Sequence, residues 1–106
     1  MPDERRRAQR VEVNLPVHWE GVLEHHEATV TSLSSSGCFV LTGGKVEPKE
    51  LIRLEMILPD KSLICLWAEV VEEAYDIGFA VRFTTIDDED HLRLAAFVLS
   101  ALSNPR

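Results

Sequence analysis

Long apolar runs are missing from this sequence of 106 residues, and cysteines and positive charges are scarce. No uninterrupted apolar run, including the one at residues 63–68, exceeds six residues, whereas a membrane-spanning helix needs about 20 apolar residues. The charged stretch at residues 1–10 is not followed by an apolar core of the kind that signal peptides contain. We therefore expect a cytoplasmic protein that does not span or bind a membrane.

The few cysteines and the charge balance further limit the kind of protein and the kind of ligand that the sequence suggests. Cys38 and Cys65 are isolated among apolar residues, which is typical of small core side chains in a reducing compartment. The net charge of −7 disfavours a general binder of nucleic-acid polymers, because such proteins concentrate positive charge. The first ten residues, however, hold four arginines against two acidic residues, so residues 11–106 carry −9. A basic arm on an acidic body favours a small anionic ligand.

Six segments carry strand signals. From Val11 to Trp19 every second residue is apolar, which is typical of a half-buried strand. Pro16 falls on the polar phase and cannot donate a ladder hydrogen bond, so we expect a sheet edge or barrel seam there. Gly21 ends this strand, and turn residues separate the others. The remaining strands are predicted at residues 22–33, 37–41, 51–58, 62–74 and 78–84.

The final segment changes to a helical period. Asp87 is a suitable N-cap, the acidic residues after it favour the positive end of the helix dipole, and Pro105 ends the pattern. The helix is therefore predicted at residues 88–103. Its apolar stripe comprises Leu92, Ala95, Ala96, Leu99 and Leu102. Six short strands and one helix predict an all-β fold, a small antiparallel barrel with the helix packed on or beside it.

Catalytic and metal-binding patterns are not found in the sequence. It has no Gly-rich phosphate loop opening a helix, no nucleophile elbow and no cysteine pair at zinc spacing. Adjacent His25 and His26 point to opposite faces of a strand, so they cannot chelate one ion together. The acidic run at 87–90 is explained by the helix start. We predict a binding protein rather than an enzyme, with no metal and no cofactor.

Two short motifs remain, and together they resemble the signature of the PilZ domain family, an RxxxR arm followed by a [D/N]xSxxG turn. They are Arg6-x-x-x-Arg10, directly before the first strand, and Ser32-x-Ser34-x-x-Gly37, between the second and third strands. The segment DIGFAVRF at residues 76–83 is similar to the closing barrel strand of that family. The resemblance covers nearly the whole chain. It implies one domain over residues 1–106, with a flexible basic arm at 1–10, a six-stranded antiparallel PilZ-like barrel at 11–84 and a C-terminal helix at 87–103.

Many PilZ domains bind the bacterial second messenger cyclic di-GMP, so the resemblance implies a stand-alone receptor for it. Arg6 and Arg10 would contact guanine and phosphate, and Arg5 would add a further contact. A guanidinium matches the N7 and O6 acceptors of guanine and the phosphate oxygens, and it can stack on a purine. Ser34 would offer its hydroxyl to guanine or to the local backbone, while Gly37 would permit a positive φ or a close approach to the ligand. The arm would order on the ligand and so signal to a downstream protein, such as motility, pilus or exopolysaccharide machinery.

Two residues depart from this pattern or allow two interpretations. Ser32 stands where the family has Asp or Asn. Hydrogen bonds to charged groups contribute about 1.5–3 kcal/mol against about 0.5–1.5 kcal/mol for neutral ones, so ligand binding should be weakened rather than abolished. Core packing is the expected role of both Trp19 and Trp67. The alternative role of Trp67 is to offer an aromatic surface to the ligand.

Two further hypotheses do without the cyclic dinucleotide. A terminal arginine run is often a solvated tail, and a Ser-rich turn that ends in glycine is a common hairpin signal. The chain would then be a degenerate PilZ-fold adaptor that acts by protein–protein contacts through an exposed apolar face. A small-barrel RNA binder is the third hypothesis, and the acidic body disfavours it.

Overall fold

The computed structural model describes residues 9–103, which form six strands and one helix, as the sequence predicts. Two strand ends differ from the prediction by two or three residues, and the others agree with it to within one residue. The second strand begins at His25 because the Gly21 N–H donates to the Glu24 carbonyl (2.9 Å) and closes a turn over residues 21–24. The sixth strand continues to Ile86. The elements are β1 (Val11–Glu20), β2 (His25–Leu33), β3 (Gly37–Leu41), β4 (Leu51–Ile57), β5 (Leu63–Ala74), β6 (Gly78–Ile86) and α1 (Asp88–Ser103).

The six strands close into an antiparallel barrel in the order β1-β2-β3-β6-β5-β4. The seam lies between β1 and β4, whose paired residues run from Val17 opposite Met56 to Glu20 opposite Arg53. Pro16 lies just before this ladder begins, which agrees with the seam that its missing N–H predicts. The prediction of an all-β barrel with one C-terminal helix is confirmed.

The inward faces of the strands fill the barrel with apolar side chains. Trp19 is fully buried, and its ring meets that of Phe79 edge-on at a centroid distance of 5.2 Å. Its indole Nε1 donates to the Thr42 hydroxyl at 3.3 Å, so the ring's polar atom is satisfied inside the core. The predicted core role of Trp19 is confirmed, and the same packing keeps the barrel filled rather than hollow.

The two ends of the barrel are formed by different connections between the strands. The β2–β3 turn, the β4–β5 turn and the start of β1 lie at one end, here called the arm end, and the other three connections lie at the far end. At the far end the buried Glu50 carboxylate accepts the N–H groups of Val22 (2.5 Å) and Glu47 (2.7 Å). Glu50 thus joins the β1–β2 turn to the β3–β4 loop.

The helix α1 does not pack on the barrel through the apolar stripe that the sequence periodicity indicates. Leu94 and Val98 are buried, and Phe97 packs beside them on the core. Leu92 and Leu99, from the predicted stripe, are instead 70% and 64% exposed. Within residues 9–103, no helix has the length and apolar character needed to cross a membrane.

Candidate functional site

Arg10 lies immediately before β1, where the arm joins the barrel. The register of β1 and β2 places Glu12 opposite Ser32, so Arg10 emerges beside the last residues of β2. Its Nη1 donates to the Ser32 hydroxyl at 3.2 Å. The two predicted motifs, which lie 22 residues apart in the sequence, therefore meet at one point of the surface.

Arg5 and Arg6 lie outside the residues that the structure describes, and their contacts stay predictions.

Ser34 shapes the β2–β3 turn from inside. It is only 1% exposed, and its Oγ accepts the backbone N–H groups of Ser36 and Gly37, each at 3.2 Å. The Ser34 N–H in turn donates to the Gly37 carbonyl at 2.9 Å. Of the two uses predicted for this hydroxyl, the bond to local backbone is the one that the structure describes.

Gly37 is required by its neighbour on β6. It pairs with Arg82, and a Cβ at position 37 would collide with the carbonyl oxygen of Val81. Its φ lies outside the left-handed region. The absent side chain therefore permits a close approach of two strands, which sets the distance between the turn and β6.

Trp67 lies on the outer face of the barrel, and the expectation that it packs in the core is wrong. It is 45% exposed, whereas its neighbours Leu66 and Ala68 point inward and are buried. Across the sheet it is paired with Arg53 of β4 and Thr85 of β6. The uninterrupted apolar run at residues 63–68 has no alternation, so the sequence could not reveal which residues of β5 face inward.

Arg82 also lies beside the β2–β3 turn, and the sequence motifs do not predict it. It lies opposite Gly37 on the neighbouring strand, its side chain is 60% exposed, and it forms an ion pair with Glu69 of β5. Trp67 is two residues from Glu69, which places it on the same face of β5. Arg82 stands between apolar Val81 and Phe83, so alternation could have placed it outward. Its register opposite Gly37 is visible only in the fold.

Cys38 lies beneath this surface and contributes no reactive group. Burial raises the pKa of its thiol to about 12, and the nearby charge of Arg10 opposes the shift only in part. A neutral buried thiol is a packing residue, as the sequence predicts. Among residues 9–103, no three His, Cys, Asp or Glu side chains are grouped as a metal ion would require.

A cleft of about 330 Å³ lies at the far end of the barrel, between the β3–β4 loop and the β5–β6 turn. It contains none of the predicted site residues. Glu73 and Asp76 line it, and the Lys45 ammonium lies 5.7 Å from the centre of the Tyr75 ring. Its two carboxylates, set against the single ammonium of Lys45, disfavour an anionic ligand there.

The residues at the arm end have a common chemistry. Arg10 and Arg82 supply guanidinium donors on either side of the β2–β3 turn, Ser32 supplies a hydroxyl, and Trp67 supplies an exposed ring. Guanidinium groups bind anionic oxygens through paired N–H donors, and an exposed indole stacks on a flat ring. This surface suits a ligand that combines phosphate with an aromatic base.

Comparison with solved structures shows the same fold. The Bacillus subtilis inhibitor of motility, MotI/DgrA, superposes with a TM-score of 0.84 at 20% sequence identity over 96% of this chain and 53% of that one. The PilZ domain of CeSA from a cellulose-synthesising bacterium superposes with a TM-score of 0.69 at 16% identity, over 92% of this chain and all of the other. The chain thus spans about half the length of MotI/DgrA.

Sequence comparison identifies the family directly. A search of curated protein sequences found no match. The family model of the PilZ domain, however, matches residues 4–100, which include the arginine arm, all six strands and most of the helix. The chain therefore belongs to the PilZ domain family.

Proposed function

We propose that this domain is a bacterial, cytoplasmic receptor for cyclic di-GMP, which binds across the arginine arm and the β2–β3 turn. The observation that carries the proposal is the contact between Arg10 and Ser32 at 3.2 Å. It joins the arm motif to the turn motif at the arm end of the barrel. A PilZ domain is a binding domain rather than an enzyme, so recognition of the ligand is its chemistry.

Each part of the ligand has a matching group in this surface. The guanidinium of Arg10 can donate to guanine N7 and O6 or to a phosphate oxygen. Arg5 and Arg6 supply the remaining positive charge for a ligand with two phosphates. Trp67 offers a face on which a guanine can stack, worth about 1–3 kcal/mol per base. Ser34 and Gly37 act at one remove, because they fix the shape of the turn.

Ser32 sets the strength of binding. Its hydroxyl already accepts a hydrogen bond from Arg10, and it can accept another from a guanine N–H, but it carries no negative charge. The loss relative to the family's Asp is about 1 kcal/mol. Affinity should therefore be several-fold to tenfold lower than a carboxylate would give at the same position.

The signal passes to another protein. Ligand contacts with Arg5, Arg6 and Arg10 would order the arm against the barrel, and this change presents a new surface to a partner. MotI/DgrA, which has the same fold, is named an inhibitor of motility. Motility, pilus or exopolysaccharide machinery is accordingly the class of partner that we propose for this chain.

Isothermal titration calorimetry with cyclic di-GMP tests the proposal. The wild-type protein should bind the nucleotide, and Arg10→Ala should weaken binding by about tenfold or more, since it removes a charge-assisted contact. Arg93→Ala is the matched control. It removes the same charge from α1, where Arg93 pairs with Asp90 and Glu89, and should bind like the wild type.

Two results would overturn the receptor proposal. One is no heat of binding from a folded wild-type protein at high concentration. The other is equal affinity of the Arg10→Ala variant and the wild type. The first result would leave the adaptor that acts without nucleotide as the function of this domain, and the second would place the bound nucleotide away from Arg10.

A further inference from the structure

The helix α1 carries two apolar stripes, and only one is used by the barrel. Leu94, Phe97, Val98 and Ala101 face the core. On another side of the helix lie the residues of the second stripe, here called the outer stripe: Leu92, Ala95, Ala96, Leu99 and Leu102. Within residues 9–103 the leucines of the outer stripe remain 70%, 64% and 37% exposed. A stripe with this spacing is what a helix presents to another helix.

The middle of the outer stripe is shaped for close approach. Ala95 and Ala96 lie between Leu92 and Leu99, so small side chains occupy the centre and larger ones the ends. The distance between two packed helices is set by the side chains at their contact. A partner helix can therefore come close at the alanines while its own apolar side chains pack between the leucines.

A second copy of this chain is a poor occupant of the outer stripe. Residues 9–103 hold sixteen Asp and Glu against seven Lys and Arg. Two such bodies, each with a net charge of −9, repel each other.

The charges next to the outer stripe indicate a basic partner. The outer stripe begins beside Asp88 and Glu89 in the acidic first turn of α1, and the last turn of α1 carries no basic residue. Arg93 is already engaged by Asp90 at 2.8 Å and Glu89 at 3.4 Å. Complementary charge raises association rates and excludes acidic competitors.

We infer that the outer stripe of α1 docks an amphipathic helix of another protein, one whose apolar face is flanked by lysine or arginine. The docking surface lies on α1 and uses none of the residues proposed to bind cyclic di-GMP. It therefore gives the domain a partner contact that does not depend on nucleotide binding.

Two synthetic helical peptides of the same length and the same Leu-Ala stripe test the inference by fluorescence anisotropy. One has lysines beside the stripe and the other has glutamates. The lysine peptide should bind saturably, and the glutamate peptide at least about tenfold more weakly. Leu99→Glu should weaken binding of the lysine peptide by about tenfold or more, because it places a charge in the middle of the contact.

Leu23→Glu is the matched control. Leu23 is 60% exposed, close to the 64% of Leu99, but it lies in the β1–β2 turn at the far end. Both variants add one negative charge, so simple attraction between charges would strengthen both. If the peptide contacts the outer stripe, Leu99→Glu should bind the lysine peptide more weakly. Leu23→Glu should then bind it within about twofold of the wild-type affinity.

Three outcomes of the peptide experiment would overturn the inference: no binding of the lysine peptide, an unchanged affinity in Leu99→Glu, or an equal loss in Leu23→Glu. A wild-type dimer in sedimentation equilibrium that Leu99→Glu converts to a monomer would also overturn it, since a second copy would then be the occupant. Calorimetry with cyclic di-GMP distinguishes the two proposals. Leu99→Glu should bind the nucleotide like the wild type, whatever happens to the peptide.

Discussion

Ser32→Asp introduces, near the end of β2, the carboxylate that the PilZ motif has at this position. Position 32 lies opposite Glu12 and receives the Arg10 guanidinium at 3.2 Å. A charged acceptor for the guanine N–H groups gains about 1 kcal/mol over a hydroxyl. The new carboxylate also pairs with Arg10 before ligand arrives, but exposed pairs contribute only about 0–1 kcal/mol. The expected net effect is about two- to fivefold tighter binding of cyclic di-GMP.

Isothermal titration calorimetry measures this gain in affinity. Thermal unfolding is the control, because it compares the stability of Ser32→Asp with that of the wild type. The like charge of Glu12 across the strands costs about 0.2–1 kcal/mol, which the pair with Arg10 offsets in part, so the melting temperature should change little. Ser100→Asp adds the same charge on α1 and should leave the affinity unchanged. Ser32→Asn, with a neutral amide, should gain less than Ser32→Asp. Equal or weaker binding by a folded Ser32→Asp protein would refute the role given to this position.

Three further predictions concern the packing of the barrel. Trp19→Ala should lower the free energy of unfolding in urea by about 3–5 kcal/mol, because it empties the barrel core; a loss below about 1 kcal/mol would contradict the packing described. Gly37→Ala should destabilise the domain by about 1–3 kcal/mol through its clash with the Val81 carbonyl, and a melting temperature equal to that of the wild type would disprove the clash. The thiol of Cys38 has a pKa raised to about 12, so the unfolded chain loses this proton first and its contribution to stability falls as the pH rises from about 9 to 12. Cys38→Ala should remove that part of the alkaline decline in unfolding free energy, and an identical decline in both proteins would count against the burial.

The barrel could be predicted from the sequence because alternating apolar residues indicate which face of a strand is buried. In β1 the apolar residues alternate from Val11 to Trp19, and Pro16 marks the seam with β4. Where the alternation fails, so does the prediction. The apolar run at 63–68 hid the outward direction of Trp67, because a run without polar residues fits either face of a strand.

The helix shows a second limit of sequence patterns. Periodicity finds apolar stripes but does not say which one meets the barrel. In α1 the outer stripe that includes Leu92 and Leu99 is the more regular in the sequence, yet Leu94 and Val98 are the residues buried. The direction in which a helix approaches a barrel follows from the preceding strand and turn, which no local pattern encodes.

The candidate site was predictable only in part for the same reason. The motif residues Arg10 and Ser32 were identified by their spacing, and the fold brings them together. Arg82 was not identified, because its position beside Gly37 depends on the pairing of β3 with β6. Residues that are distant in sequence join a site through strand register, and register is set by the whole barrel.

The most direct test of the receptor proposal is a titration of the isotopically labelled domain with cyclic di-GMP, followed by NMR. We expect the largest chemical-shift changes at the Arg10 side chain, at the backbone amides of residues 32–37 and at the Trp67 indole N–H. Changes confined to the far-end cleft around Lys45 and Tyr75, or no changes at saturating nucleotide, would contradict the proposal that the arm and the β2–β3 turn form the binding site.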